Sequence, residues 1–161
     1  MNKEISERYG DFIKIVKVIE KLGASCRVEE AASEAEIAEY EQKTGYKLPD
    51  DYKDWLRLTK GIDFSPFVNI SLSICMSEKA FDTSDGFKAL IVGNAFFKDY
   101  YIDLDSGKYG LYDDDFGTTT FDSFEDMLDE MYFSDIEAPL DSSVGNENWV
   151  SIYDELFPED K

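Results

Sequence analysis

The sequence predicts a single α+β domain: N-terminal helices, a largely antiparallel sheet of about four to six strands, then C-terminal helices. Three observations carry this expectation. Apolar residues recur at helical spacing through residues 3–56, the period drops to two between residues 68 and 121, and helical spacing returns from Phe124 onward. The length of 161 residues suits one domain. With 43% hydrophobic and 15% aromatic residues the chain is too apolar for a disordered protein, despite its charge.

The elements follow in order. Ile5, Tyr9, Phe12, Ile13, Val16 and Ile19 share one side of a helix over residues 3–22, with Gly23 as its stop. Ser33 opens a second helix, and Glu36 three residues later completes a capping box. Ile37 and Tyr40 form its apolar stripe, and Gly45 ends it in a left-handed cap. Pro49 and Asp50 start a third helix, where proline's missing N–H costs nothing and an acid suits the positive end. Tyr52, Trp55 and Leu56 face inward, and Gly61 closes the segment. Val68, Ile70, Leu72 and Ile74 alternate with polar residues and read as a half-buried strand. Phe87 to Val92 reads as a more central strand. Asp99 to Leu104 and Lys108 to Tyr112 flank Asp105-Ser106-Gly107, a hairpin turn, and Thr118 to Phe121 adds a short strand. Ser123 caps a further helix carrying Phe124, Met127, Leu128 and Met131. Residues 135–147 hold Pro139, Ser142, Ser143, Gly145 and Asn146 and read as a loop. Trp149, Ile152, Tyr153, Leu156 and Phe157 make a last amphipathic helix over residues 148–157, expected to dock on the body.

Composition excludes several kinds of function. There is no histidine, which removes Ser-His-Asp and Cys-His catalysis and the commonest zinc ligand. The net charge is −20, so nucleic acid and anionic membranes are poor partners. Cys26 and Cys75 have no CxxC spacing and read as a reduced intracellular pair. The first residues lack the apolar core of a secretory signal, and no apolar stretch approaches a membrane span. The expected setting is cytoplasmic.

One stretch carries a family likeness. Glu36-Ile37-Ala38-Glu39-Tyr40-Glu41 is followed by Gly45, then by Leu48-Pro49-Asp50-Asp51-Tyr52-Lys53-Asp54-Trp55-Leu56, then by Gly61. This resembles the signature of the SUKH superfamily: an acidic-aromatic helix, a glycine, Leu-Pro-x-Asp-Tyr, an aromatic-Leu pair and a glycine. Ile91-Val92-Gly93, Asp99 to Leu104, Gly107-Lys108-Tyr109 and the Phe121 to Leu128 helix opening are similar to later blocks of that family. The likeness covers residues 31–133, with the helices at 3–22 and 148–157 as additions to one domain spanning residues 1–161. Leu48, Pro49, Asp51, Tyr52, Trp55, Leu56, Gly61 and Gly93 are then structural residues of the motif. The resemblance implies an immunity protein that binds and neutralises a bacterial toxin, often a nuclease, without catalysis and without a cofactor. An intracellular scaffold or regulatory protein-binding module of the same fold is the alternative.

The charge pattern bears on the partner independently. Residues 99–161 carry 19 acidic and 2 basic side chains, so most of the excess lies in the last two fifths of the chain. Such a field steers a basic protein, and a nuclease cleft is basic because it must attract phosphate. The candidate contact residues are Asp103, Asp105, Asp113, Asp114 and Asp115, with Tyr101, Tyr109 and Tyr112 as aromatic anchors. A solvated acidic surface and ordinary strand tyrosines are the plainer reading of the same residues. Asp103-Leu104-Asp105-Ser106-Gly107 has the glycine one place early for a calcium loop and Asp114 at the twelfth position, so a turn is expected there and no metal site. A monomer or weak dimer is expected, with a protein toxin as partner.

Overall fold

The computed structural model describes residues 1–65, 80–83, 85–95, 97–113 and 117–160. The chain is an α+β domain with helices at both ends. Helix α1 (Lys3–Lys21) is capped by the Asn2 side chain, which accepts the Glu4 N–H at 3.0 Å. It ends where Gly23 turns to φ 94° and the Ala24 N–H reaches back to the Ile19 carbonyl, a Schellman closure. Strand β1 (Ser25–Val28) leads to α2 (Glu34–Thr44) and α3 (Asp50–Leu56), and β2 (Ile62–Ser65) returns antiparallel to β1. The strand expected over residues 68–74 and Cys75 lie outside the described residues.

A five-stranded antiparallel sheet follows in the order β3 (Phe81–Asp82), β4 (Lys88–Ala95), β5 (Lys98–Asp103), β6 (Tyr109–Asp113) and β7 (Gly117–Phe121). The β5–β6 hairpin turns through Gly107, whose φ of 72° needs glycine. The β4–β5 ladder shifts register between Ile91 and Gly93, leaving Val92 as a bulge. Leu90, Val92, Tyr100, Ile102, Tyr109 and Leu111 belong to the core that the helices share with one face of this sheet. Phe124 sits at the centre of an aromatic cluster, 5.2 Å from Tyr52, 5.9 Å from Trp55 and 5.3 Å from Tyr109 between ring centroids. Phe12 of α1 adds an edge contact to Trp55 at 5.5 Å.

Two expectations need correction. The third helix stops at Leu56 rather than near Gly61, because the buried Thr59 hydroxyl accepts the Gly61 N–H at 3.1 Å and so stabilises a turn. Residues 135–147 are mostly helical rather than a loop. Helix α4 (Phe124–Tyr132) runs into a π-helical turn (Phe133–Glu137), then α5 (Ala138–Ser143) and α6 (Asn146–Leu156). Pro139 lies in the first turn of α5, directly after the π-helical turn. Tertiary contacts override the turn-forming composition: Ile136 and Leu140 are buried, and the buried Asp135 accepts the Tyr100 hydroxyl and the Lys98 ammonium at 2.8 Å. Burial raises the Asp135 carboxyl, and the bonds from Lys98 and Tyr100 oppose that rise. Helix α6 docks as expected, with Trp149 buried and its indole N–H donated to Asp141 at 2.6 Å.

Helix α1 is no appendage. Ile5, Phe12, Ile15, Val16, Val18 and Ile19 are all in the core. Arg8 joins α1 to α4 through Asp129 and lies over the Tyr132 ring, 5.6 Å from its centroid. Cys26 is a half-buried free thiol, and burial, with Glu20 and Asp63 beside it, pushes it up to about 11.

The capping box of α2 yields a pH signature. The Ser33 N–H, the Ser33 hydroxyl and Lys60 together bring Glu36 from 4.5 down to about 2. A carboxyl depressed by folding stabilises fully above its unfolded pKa and loses that contribution as pH falls through its folded value. Thermal melts of Glu36→Gln should therefore lie below those of the parent at neutral pH. The gap should close as pH drops from 4.5 towards about 2. A gap of constant size across that window would contradict the capping box.

Candidate functional site

Strand alternation gives the sheet a second face, turned away from the helical core. Ala89 and Ile91 of β4, Asp99 and Tyr101 of β5, Tyr112 of β6 and Thr118 of β7 line a groove of about 330 Å³ on it. The ladder explains this set: Ile91 pairs with Tyr101, Tyr101 with Gly110, Asp99 with Tyr112, and Tyr112 with Thr118.

Tyr101 forms the floor. Gly110, its cross-strand neighbour, has no side chain, and the ring lies over that bare backbone. A Cβ at Gly110 would stand 2.1 Å from the Tyr101 Cζ. Phe87 stacks on the other side of Tyr101, with centroids 5.7 Å apart and planes 29° apart. Phe87 is held by a tight turn: the Thr83 hydroxyl accepts the Phe87 N–H at 3.2 Å, and the Thr83 N–H is donated to the Phe87 carbonyl at 2.9 Å. Gly86, at φ 87°, lets the chain turn there. That turn also brings Asp82 and Asp85 to the rim. Tyr101 is only 7% exposed. Burial raises its phenol above the usual tyrosine range, and the Asp103 and Asp85 carboxylates push it further.

The structure separates the tyrosines singled out from the sequence. Tyr101 and Tyr112 meet in the groove, and Tyr112 is 47% exposed. Tyr109 instead points into the core, 2% exposed, with its hydroxyl donated to Asp51. It is a packing residue and offers no surface to a partner. Asp103 and Asp105 shape the hairpin. Asp103 accepts the Asp105 N–H at 2.9 Å and the Ser106 N–H at 3.2 Å, and Asp105 accepts the Lys88 N–H at 3.1 Å. Partial burial pulls the Asp103 carboxyl up, but the Ser106 hydroxyl and the Asp105 and Ser106 N–H groups outweigh it and leave it below the ordinary range. Asp113 ends β6 opposite Lys98 and Gly117, while Asp114 and Asp115 lie outside the described residues. Sequence reasoning missed Asp82, Asp85, Phe87 and Asp99. Among the described residues no group of three or more His, Cys, Asp or Glu could hold a metal ion. No helix among them is long and apolar enough to cross a membrane.

The motif residues serve the other face. Leu48, Tyr52, Trp55 and Leu56 are buried, and Pro49 is the N-cap of α3. The Asp51 carboxylate accepts the Tyr109 hydroxyl and, at 2.9 Å, the Phe124 N–H. Gly61 lies in the Thr59 turn and Gly93 at the β4 bulge. A family model, the SMI1 / KNR4 family (SUKH-1), matches residues 31–156. The chain belongs to this family. The SUKH-1 match extends past the likeness seen in the sequence motifs, which ended at residue 133, and takes in α5 and α6. Helix α1 lies outside it. No curated protein matches the chain.

Gly110→Ala tests the floor of the groove. The methyl must displace the Tyr101 ring, at a cost of ~1–3 kcal/mol. In a Tyr101→Ala background the obstacle is gone, and the same change should be close to neutral in urea denaturation. Equal costs in both backgrounds would show that the ring does not lie over Gly110.

Proposed function

We propose that this SUKH-1 protein is a non-enzymatic immunity protein. It binds and neutralises a cognate bacterial toxin, a basic protein of nuclease type, through the acidic outer face of its sheet. The observation that carries the reading is the groove, in which aromatic side chains sit among carboxylates. Anchors of this kind dominate affinity when desolvated, and surrounding charges raise the rate of encounter. The charge of the chain supports the same reading. Most of the net −20 belongs to residues 99–161, whose 19 acidic residues comprise six between Asp99 and Asp115 and 13 from Asp122 onward. A basic cleft built to attract phosphate meets a matching field there. Family membership supports protein binding as the mode of action. Helix α1 and the Asp51 bonds serve stability.

The test uses the protein encoded by a toxin gene beside that of this chain. Mixing the two should give a stable complex and abolish the toxin's activity. Association should slow roughly tenfold or more between about 50 mM and about 500 mM salt, because screening shortens the field. A toxin that stays active with the chain in excess would contradict the proposal. An association rate indifferent to salt would contradict its electrostatic part.

A further inference from the structure

We infer that strand β7 is a docking edge that takes an extended, basic segment of the protein partner as one more strand of the sheet. The inference rests on the protein-binding reading above and names the contact through which binding is made. A sheet ends in two strands whose outward N–H and C=O groups have no ladder partner, and proteins blunt such edges by shortness, charge, proline or a bulge. Among the described residues the five-stranded sheet ends in β3 and β7. Strand β3 is blunted: it is two residues long, and its Asp82 is paired with Lys88 at 2.6 Å. Strand β7 is not. Gly117-Thr118-Thr119-Thr120-Phe121 holds no charge and no proline, and its five residues pair with β6 in unbroken register, without a bulge. Successive strand residues point to opposite faces, yet Gly117, Thr118, Thr119 and Thr120 are all exposed, so neither side of the strand is covered there. Threonine suits a pleated strand, and alternate residues of the edge turn their donors and acceptors outward.

Charge selects the occupant. No Lys or Arg occurs between residues 109 and 160, a stretch with 16 acidic residues. Lys108, beside the Phe121 end of β7, is held by Asp122 at 2.9 Å, and Lys98, towards the Gly117 end, by Asp135 at 2.8 Å. A second copy of this chain would bring the same acidic flank, and a net charge of −20, against its own. A strand carrying Lys or Arg meets the opposite sign. Main-chain pairing supplies the affinity, and the alternating side chains of the added strand supply the choice. A strand of this length spans about 17 Å, which takes one segment of about five or six residues.

The probe is the peptide acetyl-Lys-Val-Lys-Val-Lys-Val-amide, with Glu-Val and Lys-Pro counterparts of equal length. In the free 15N-labelled chain, alternate amides of residues 117–121 should exchange fast with solvent, as an open edge requires. At low salt the Lys-Val peptide should shift the amides of residues 117–121 in a saturable way, with a dissociation constant on the order of 1 mM, and slow the exchange of the fast set. The Lys-Pro peptide keeps the charge but cannot donate a ladder, and the Glu-Val peptide makes a strand of the wrong sign; both should bind roughly tenfold or more weakly. Thr119→Lys, an exposed change, should weaken the Lys-Val peptide roughly threefold or more, whereas Thr119→Glu should not. Slow exchange throughout residues 117–121 of the free chain overturns the inference. So do shifts confined to other surfaces, Lys-Pro or Glu-Val binding as well as Lys-Val, or equal binding by the two Thr119 variants. Self-association through β7 at rising protein concentration, read by sedimentation, would put a second copy in the partner's place and overturn it too. A toxin complex that leaves the fast β7 amides unprotected would remove the edge contact and leave the immunity reading standing. Protection of those amides by the Lys-Val peptide, in a chain that binds no toxin, would do the reverse.

Discussion

One carboxylate holds the two halves of this fold together. Asp51 sits in the first turn of α3, yet its oxygens are used by residues far along the chain. It takes the Tyr109 hydroxyl from β6 and the Phe124 N–H from the start of α4. The second bond satisfies one of the donors that every helix leaves unpaired at its N-terminus, and it places a negative charge at the positive end of α4. Helix α3, the sheet and α4 are thereby fixed around the Phe124 cluster. This gives the aspartate of the Leu-Pro-x-Asp-Tyr block a physical role. The tyrosine and tryptophan beside it fill the space that the bonded elements enclose.

The clamp has a consequence for the opposite face. With Tyr100, Ile102, Tyr109 and Leu111 committed to the helices, the alternate residues of the same strands are released from packing on the core. Tyr101, Tyr112 and Asp99 are thereby turned to the outer face, where they line the groove. The buried Asp135 does for the far end of the sheet what Asp51 does for the centre, tying the π-helical turn to Tyr100 and Lys98. Stability is thus concentrated on one face, and the charge and aromatic surface of the groove on the other.

Local chemistry made much of the fold readable. The Ser33–Glu36 capping box, the Gly45 cap and the Asp105-Ser106-Gly107 turn are signals confined to a few residues, and each is present in the structure. Residues 135–147 misled because Pro139, Ser142 and Gly145 favour turns in isolation, whereas buried Ile136 and Leu140 impose helix through contacts remote in sequence. The groove was half legible. Period-two alternation groups Tyr101 with Asp99 and separates both from Tyr100, but it does not say which set meets the helices. Only the ladder, with Tyr101 opposite Gly110, decides that Tyr101 lies outward and Tyr109 inward. Asp82, Asp85 and Phe87 enter the site through the Thr83 turn, whose geometry is a matter of two hydrogen bonds and a positive φ. Their composition carries no such signal.

A double-mutant cycle on Asp51 and Tyr109 tests the clamp most directly. Asp51→Ala, Tyr109→Phe and the double variant are unfolded in urea alongside the parent. The clamp predicts that Asp51→Ala is the costlier single change, because it strands both the Tyr109 hydroxyl and the Phe124 N–H. It also predicts a coupling of about 1–3 kcal/mol, so that Tyr109→Phe costs far less once the carboxylate is gone. Costs that add to within about 0.5 kcal/mol would show that the two groups act independently and that the sheet is held to the helices by packing alone.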